Sequence, residues 1–189
     1  MRKGTRLKLR RRTEGVTYYR RRGKMVLSGK PRLVVRSSNK YVYAYLVENI
    51  AGGDRILSSA NSRELRKLGW EFGLGNTPAS YLTGALLAQR ASKTGVKEAF
   101  LDLGLATPTE GNKLFAVAKG CSHFGLTVKC DESVMPSEDR IRGKHIADYL
   151  PGIKEGTAFS SIRAKNLSPE SIAQQLDGVL SKIKGGGSS

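Results

Sequence analysis

The side chains able to do covalent or metal chemistry are few and scattered. Cys121 and Cys130 are the only cysteines, with eight residues between them and His123 close by. A structural zinc site takes four ligands in short paired spacings. Here there is no C-x-x-C and no second pair, so both thiols are expected to be reduced and structural. A metal-dependent nuclease needs several converging carboxylates. Asp102 is the one acid inside an expected core strand, and neither Arg32–Arg36 nor Tyr41–Val47 carries another. The run from Gly104 to Lys113, GLATPTEGNK, follows a strand and precedes a helix, where phosphate loops sit. A P-loop has four residues between its glycines, then Gly-Lys-Ser/Thr. In this run six intervene, Asn112 separates Gly111 from Lys113, and Leu114 stands where a magnesium-binding hydroxyl is needed. The spacing argues against an NTPase and leaves a helix N-terminus, with Lys113, able to touch a phosphate.

The abundant chemistry is cationic. The chain of 189 residues has 33 Lys/Arg and 16 Asp/Glu, a formal charge of +17. Fifteen of those bases, but only one acid, Glu14, lie in residues 1–40. The other 149 residues are close to neutral. A solvated face would mix its signs, and a membrane-binding arm would carry an apolar stripe that residues 1–24 lack. A run of like charge is instead suited to a polyanion, because Lys and Arg neutralise phosphates and release condensed counterions. Five of the seven tyrosines lie between Tyr18 and Tyr45. Aromatic rings stack on splayed bases, which folded RNA offers more readily than duplex DNA. Tyr41, Tyr43 and Tyr45 have a second reading, as strand residues packing across a solvated sheet face. No helix-turn-helix, zinc-finger or basic-zipper pattern is present. His123 and His145 have no evident nucleophile or base partner and are read as structural or RNA-facing.

These side chains need elements to position them. Residues 1–30 show no apolar periodicity and too little burial potential to offset their ordering entropy, so a largely disordered basic arm is expected there. Pro31 opens the folded part. Arg32–Arg36 reads as a strand, Ser37–Lys40 as a turn, and Tyr41–Val47 alternates with period two, its tyrosines on one face and Val42, Ala44 and Leu46 on the other. Gly52–Asp54 turns the chain into Arg55–Ala60, completing an antiparallel meander. A short helix is expected at 62–69, capped by Ser62. A longer helix starts at Thr77, with the hydroxyl as N-cap and Pro78 at N1, and ends at Gly95. A strand over Ala99–Leu103, a helix carrying Leu114, Val117, Ala118 and Cys121, and a strand over Leu126–Val128 follow. One further helix is expected at 137–149. A last amphipathic helix begins at Ser168-Pro169 with the stripe Ile172, Leu176, Val179, Leu180 and Ile183, before a flexible Gly185–Ser189 end. The expected fold is α/β: a mixed sheet, made of the meander plus parallel strands, with packed helices, a basic N-terminal extension and a helical C-terminal extension. The expected division is 1–30 extension, 31–130 core and 131–189 C-terminal extension. No run of 18 or more apolar residues occurs, and the basic N-terminus has no apolar segment of a secretory signal behind it, so a cytoplasmic protein is expected.

Five blocks carry a resemblance. SGKPRLVVR at 28–36, NTPASYLTG at 76–84, LDLGL at 101–105, GNKLF at 111–115 and KHIADY at 144–149 closely resemble the archaeal and eukaryotic form of the large-subunit ribosomal protein L-eighteen. The likeness runs in order from about residue 17 to about residue 150; beyond that it holds only in general character. The resemblance implies a structural, non-enzymatic protein without cofactor that binds 5S ribosomal RNA. It also implies contact with the 23S-type RNA of the central protuberance and with neighbouring proteins, notably the L-five family. Carried onto this chain, Arg10, Arg11, Arg12, Tyr18, Tyr19, Arg20, Arg21, Arg22 and Lys24 fall in the RNA-binding segment. Lys30, Arg32 and Arg36 border the sheet, and Lys40 and Lys113 complete the expected set. The alternatives from composition are a nonspecific basic DNA-binding protein and a metal-dependent nuclease on a similar scaffold.

Overall fold

The structure, a computed structural model, describes residues 7–51, 53–150, 162, 168 and 171–185. Strands β1 (Arg32–Ser37), β2 (Val42–Ile50) and β3 (Gly53–Asn61) form the antiparallel meander. Strands β4 (Glu98–Asp102) and β5 (Thr127–Lys129) extend the sheet in parallel on the other side of β1, giving the order β3-β2-β1-β4-β5. The sheet is mixed, as the alternation of strands and helices predicted.

One face of the sheet is the core. Leu33 and Val35 of β1 and Val42, Ala44 and Leu46 of β2 are fully buried, while Tyr41, Tyr43 and Tyr45 are only half-buried on the other side. Helices α3 (Thr77–Ser92) and α4 (Lys113–His123) cover the apolar face. They cross at two glycines. A methyl group at Gly84 would collide with the Val117 carbonyl, and one at Gly120 with the Tyr81 carbonyl. At this crossing the Cys121 thiol donates to the Gly84 carbonyl at 3.4 Å, and the Tyr81 hydroxyl meets His123 Nδ1 at 2.9 Å. Burial pushes the Cys121 thiol far up, out of nucleophilic range, so this cysteine is a packing residue.

Local chemistry moves several boundaries. The α3 cap is Asn76, extended at φ −91° with its side chain accepting from Ala79 N, so Thr77 is the first helical residue rather than the cap. The segment after β3 is a 3₁₀ turn over Ser62–Arg66, and its cap is Asn61 in a reciprocal box with Glu64. Ser62 instead points inward, its Oγ accepting from Val42 N at 3.0 Å. The helix expected at 137–149 is two, α5 (Glu138–Ile141) and α6 (Lys144–Tyr149), parted by Gly143 at φ +80° with Ile172 packed against it.

The final helix, α7 (Ser171–Gly185), packs on its own core. Ile172, Leu176, Val179 and Ile183 are buried there. Polar clips fasten its rim: Lys182 Nζ donates to Leu68 O at 2.9 Å, and Gln175 Oε1 accepts from Glu71 N at 3.1 Å. Pro169 and residues 186–189, expected as a helix start and a flexible end, lie outside the described residues; Gly185 itself is the last residue of α7.

The arm expected to lack regular structure spans residues 1–30; residues 1–6 lie outside the described residues, and residues 7–30 contain α1 (Arg10–Thr13) and α2 (Tyr19–Leu27). No apolar period announces α2, because what holds it is polar and lies far away in the sequence.

Candidate nucleic-acid interface

The face of the sheet turned away from α3 and α4 is built by strand alternation. The register sets Arg32 beside Val47 and Phe100, Val34 beside Tyr45 and Asp102, and Arg36 beside Tyr43. Residues paired in this way share a side, so Arg32, Val34, Arg36, Tyr43, Tyr45, Phe100 and Asp102 form one surface.

A chain of ion pairs crosses it. Arg32 Nη1 donates to Asp102 Oδ2 at 3.0 Å, and Arg32 Nη2 donates to Asp54 Oδ1 at 2.7 Å. Arg22 Nη2 donates to the other Asp54 oxygen at 2.8 Å. Arg36 contacts Asp102 Oδ1 at 3.4 Å and donates to the Asp102 and Val35 carbonyls at 2.8 and 2.7 Å. Gly104 N adds a further bond to Asp102 Oδ1 at 2.8 Å. Gly104 has φ +63°, and a Cβ there would lie 2.8 Å from Arg36 Cζ, so only glycine lets the guanidinium lie against the loop. Three arginines alternate with two aspartates, leaving one net positive charge over the network.

Burial divides the members. The Arg32 side chain is 3% exposed and Asp102 is 7% exposed, whereas Arg22 is 33% and Arg36 is 45% exposed. Arg32 was expected among the RNA-facing cations. Its guanidinium lies inside, occupied by two carboxylates, because a buried charge must be paired. Asp102, weighed above as a nuclease carboxylate, is likewise engaged by two guanidinium groups and a backbone amide. Among the described residues no three His, Cys, Asp or Glu converge as a metal site.

The basic arm lies over this face. Arg11, Val16, Thr17, Tyr18, Arg21 and Met25 from the arm, with the sheet residues, enclose a cleft of about 280 Å³. Arg21 reaches the Gly104 carbonyl at 3.4 Å, and its guanidinium sits 6.0 Å from the Tyr18 ring. Along α2, Arg22, Met25 and Val26 are half-buried, while Arg20, Arg21 and Lys24 are exposed. Arg20 and Lys24, four apart, form one outward stripe. In α1, Arg10, Arg11 and Arg12 are exposed; Arg10 pairs with Glu14, and Arg11 donates to Thr17 Oγ1 at 2.9 Å. Tyr18 is exposed and Tyr19 half-buried.

The remaining expected residues are more dispersed. Lys30 pairs with Glu98 at 2.8 Å, and its Nζ and that of Lys129 each lie 5.9 Å from the Phe100 ring centroid. The Lys30 hydrogen bond and charge hold the Glu98 carboxyl below the usual range. Lys40 is exposed, its backbone against Gly75. Lys113 lines a separate cleft with Asn76, Asn112, Arg140 and His145, which shares no residue with the arm's cleft. Burial and the Arg140 charge lower the His145 pKa, outweighing Asp148. His123 is exposed at the end of α4, with Nδ1 against the Tyr81 hydroxyl. Sequence reasoning missed Asp54, which joins the arm to the sheet. It is the second residue of β3, and the sequence marks it only by the glycines that precede it.

A sequence profile described as "Ribosomal large subunit proteins 60S L5, and 50S L18" matches residues 3–98. The chain is 49% identical over 184 residues to the large ribosomal subunit protein uL18 of Caldivirga maquilingensis, covering 94% of this chain and 89% of that protein. It is 41% identical over 185 residues to the protein of the same name from Thermofilum pendens, covering 95% and 94% of the two chains. With that of Methanothermobacter thermautotrophicus it shares 45% over 185 residues, covering 95% and 96%.

Proposed function

The chain belongs to the uL18 family of large ribosomal subunit proteins, and on that premise we infer that it is a structural, non-enzymatic constituent of the large subunit that binds 5S ribosomal RNA. The observation that carries this reading is the exposed cationic arm laid across the outer sheet face. It presents Arg10, Arg11, Arg12, Arg20, Arg21 and Lys24 together with Tyr18 and Tyr19, flanked by Lys30 and Arg36. Arg22 and Arg32 turn inward and serve the face from below. Lys40 and Lys113 form outlying contacts, suited to a second stretch of ribosomal RNA of the 23S type in the central protuberance. Neighbouring proteins of that particle, including the L-five family, are the expected protein partners, and the cytoplasmic ribosome is the expected address. Among the described residues no helix is long and apolar enough to cross a membrane.

The arrangement suits RNA because it combines charge with stacking surfaces on a rigid sheet. Phosphate contacts give affinity without sequence readout, and rings such as Tyr18 meet unstacked bases. Titration of 5S RNA against salt tests the reading. If about six to ten phosphates are contacted, affinity falls by about three to five orders of magnitude between about 50 and 200 mM salt. Competition with duplex DNA at equal salt leaves the RNA complex in place. A flat salt dependence, or displacement by the duplex, rejects the assignment.

A further inference from the structure

Two aspartates stand in the middle of a surface read as binding a polyanion. By charge alone each should weaken that binding. The geometry around Asp54 argues the reverse.

Helix α2 cannot hold itself. It is nine residues long, with Gly23 at its centre, and isolated helices of that length are marginal in water. Its N-cap residue, Tyr18, makes no side-chain cap bond, and its first turn has no acid. Arg20, Arg21 and Arg22 instead crowd the positive end of the helix dipole, the unfavourable end for cations. Among the described residues the ties to the body are correspondingly few. Arg22 to Asp54 at 2.8 Å is the short one, the Arg21 bond to Gly104 O is long at 3.4 Å, and Met25 and Val26 are half-buried. Asp54 is itself fixed, because its second oxygen holds the buried Arg32 at 2.7 Å.

Resting on the RNA-binding reading above, we propose that Asp54 is a positioning residue for RNA. It clamps α2 to the sheet through Arg22, so that Arg20 and Lys24 are presented as one preformed stripe. Removing this negative charge therefore weakens RNA binding. A binding-competent arm that is only fractionally populated lowers apparent affinity by that fraction. The cations that meet phosphate are unchanged, so the salt slope is unchanged too.

The test uses the full chain as wild type, Asp54→Asn, Asp54→Glu and Arg22→Gln. It reads amide exchange over residues 19–27 in the free protein and 5S RNA affinity across a salt series. Asp54→Asn should lose amide protection in α2 and bind about tenfold more weakly at every salt concentration, with a parallel slope. Asp54→Glu should recover both. Arg22→Gln should lose the same protection, which serves if Asp54→Asn unfolds through its second partner, Arg32. Equal or tighter binding by a folded Asp54→Asn overturns the proposal, as does α2 protection that survives Arg22→Gln. Failure of wild type to bind 5S RNA, or a flat wild-type slope, would instead overturn the underlying reading.

Discussion

Asp102 illustrates how little a residue's type says before its partners are known. In the sequence it is the one acid in an expected core strand and so the carboxylate that a nuclease reading would use. In the fold it is the counter-charge of Arg32, seventy positions away. Breaking a buried pair strands the remaining charge, at a cost on the order of 3–5 kcal/mol. Asp102→Asn is therefore expected to lower stability by about that amount in urea denaturation. Arg36→Ala, at a half-exposed site, should cost clearly less. Equal effects would refute the division between buried and exposed members. No local pattern encodes such a pair, since strands β1 and β4 meet only when the sheet closes. That is why Arg32 read as one more surface cation. The alternation of Tyr41–Val47, by contrast, announces its two faces within seven residues.

At the scale of elements, the helices and strands that bury a periodic face were readable, and α2, which does not, was not. The crossing of α3 and α4 falls between these cases. Each helix is visible by its own pattern, but the requirement for Gly84 and Gly120 belongs to neither alone. Their carbonyl contacts leave no room for a side chain, so Gly84→Ala and Gly120→Ala should each destabilise by about 1–3 kcal/mol or more. Both act on one crossing, so the double variant should depart from the sum of the singles. Simple additivity would mean that the helices do not share a close contact. The boundary shifts at Asn61 and Asn76 have a common cause. Each asparagine precedes a hydroxyl residue and takes the cap with its own side chain, and the sequence offers both candidates side by side.

At the scale of the molecule, α7 determines whether the core is complete. Full burial of an aliphatic side chain is worth roughly 1.5–3 kcal/mol, so Ile172, Leu176, Val179 and Ile183 together approach the net stability of a typical domain. A chain ended at residue 166 should accordingly lose its cooperative thermal transition, as followed by circular dichroism. An unchanged melt would mean that α7 belongs against another molecule. The stripe was legible as amphipathic, but its address was not, because periodicity names a buried face and not what buries it. The placement of α7 also sets an order in time. During translation the cationic arm leaves the exit tunnel before the core, and the seal over the hydrophobic interior leaves after the elements it covers. The nascent polypeptide thus passes through an interval in which its adhesive limb is already at large while its greasy centre is still open. A cell making this chain in quantity has reason to keep the arm and the open core attended until α7 is released.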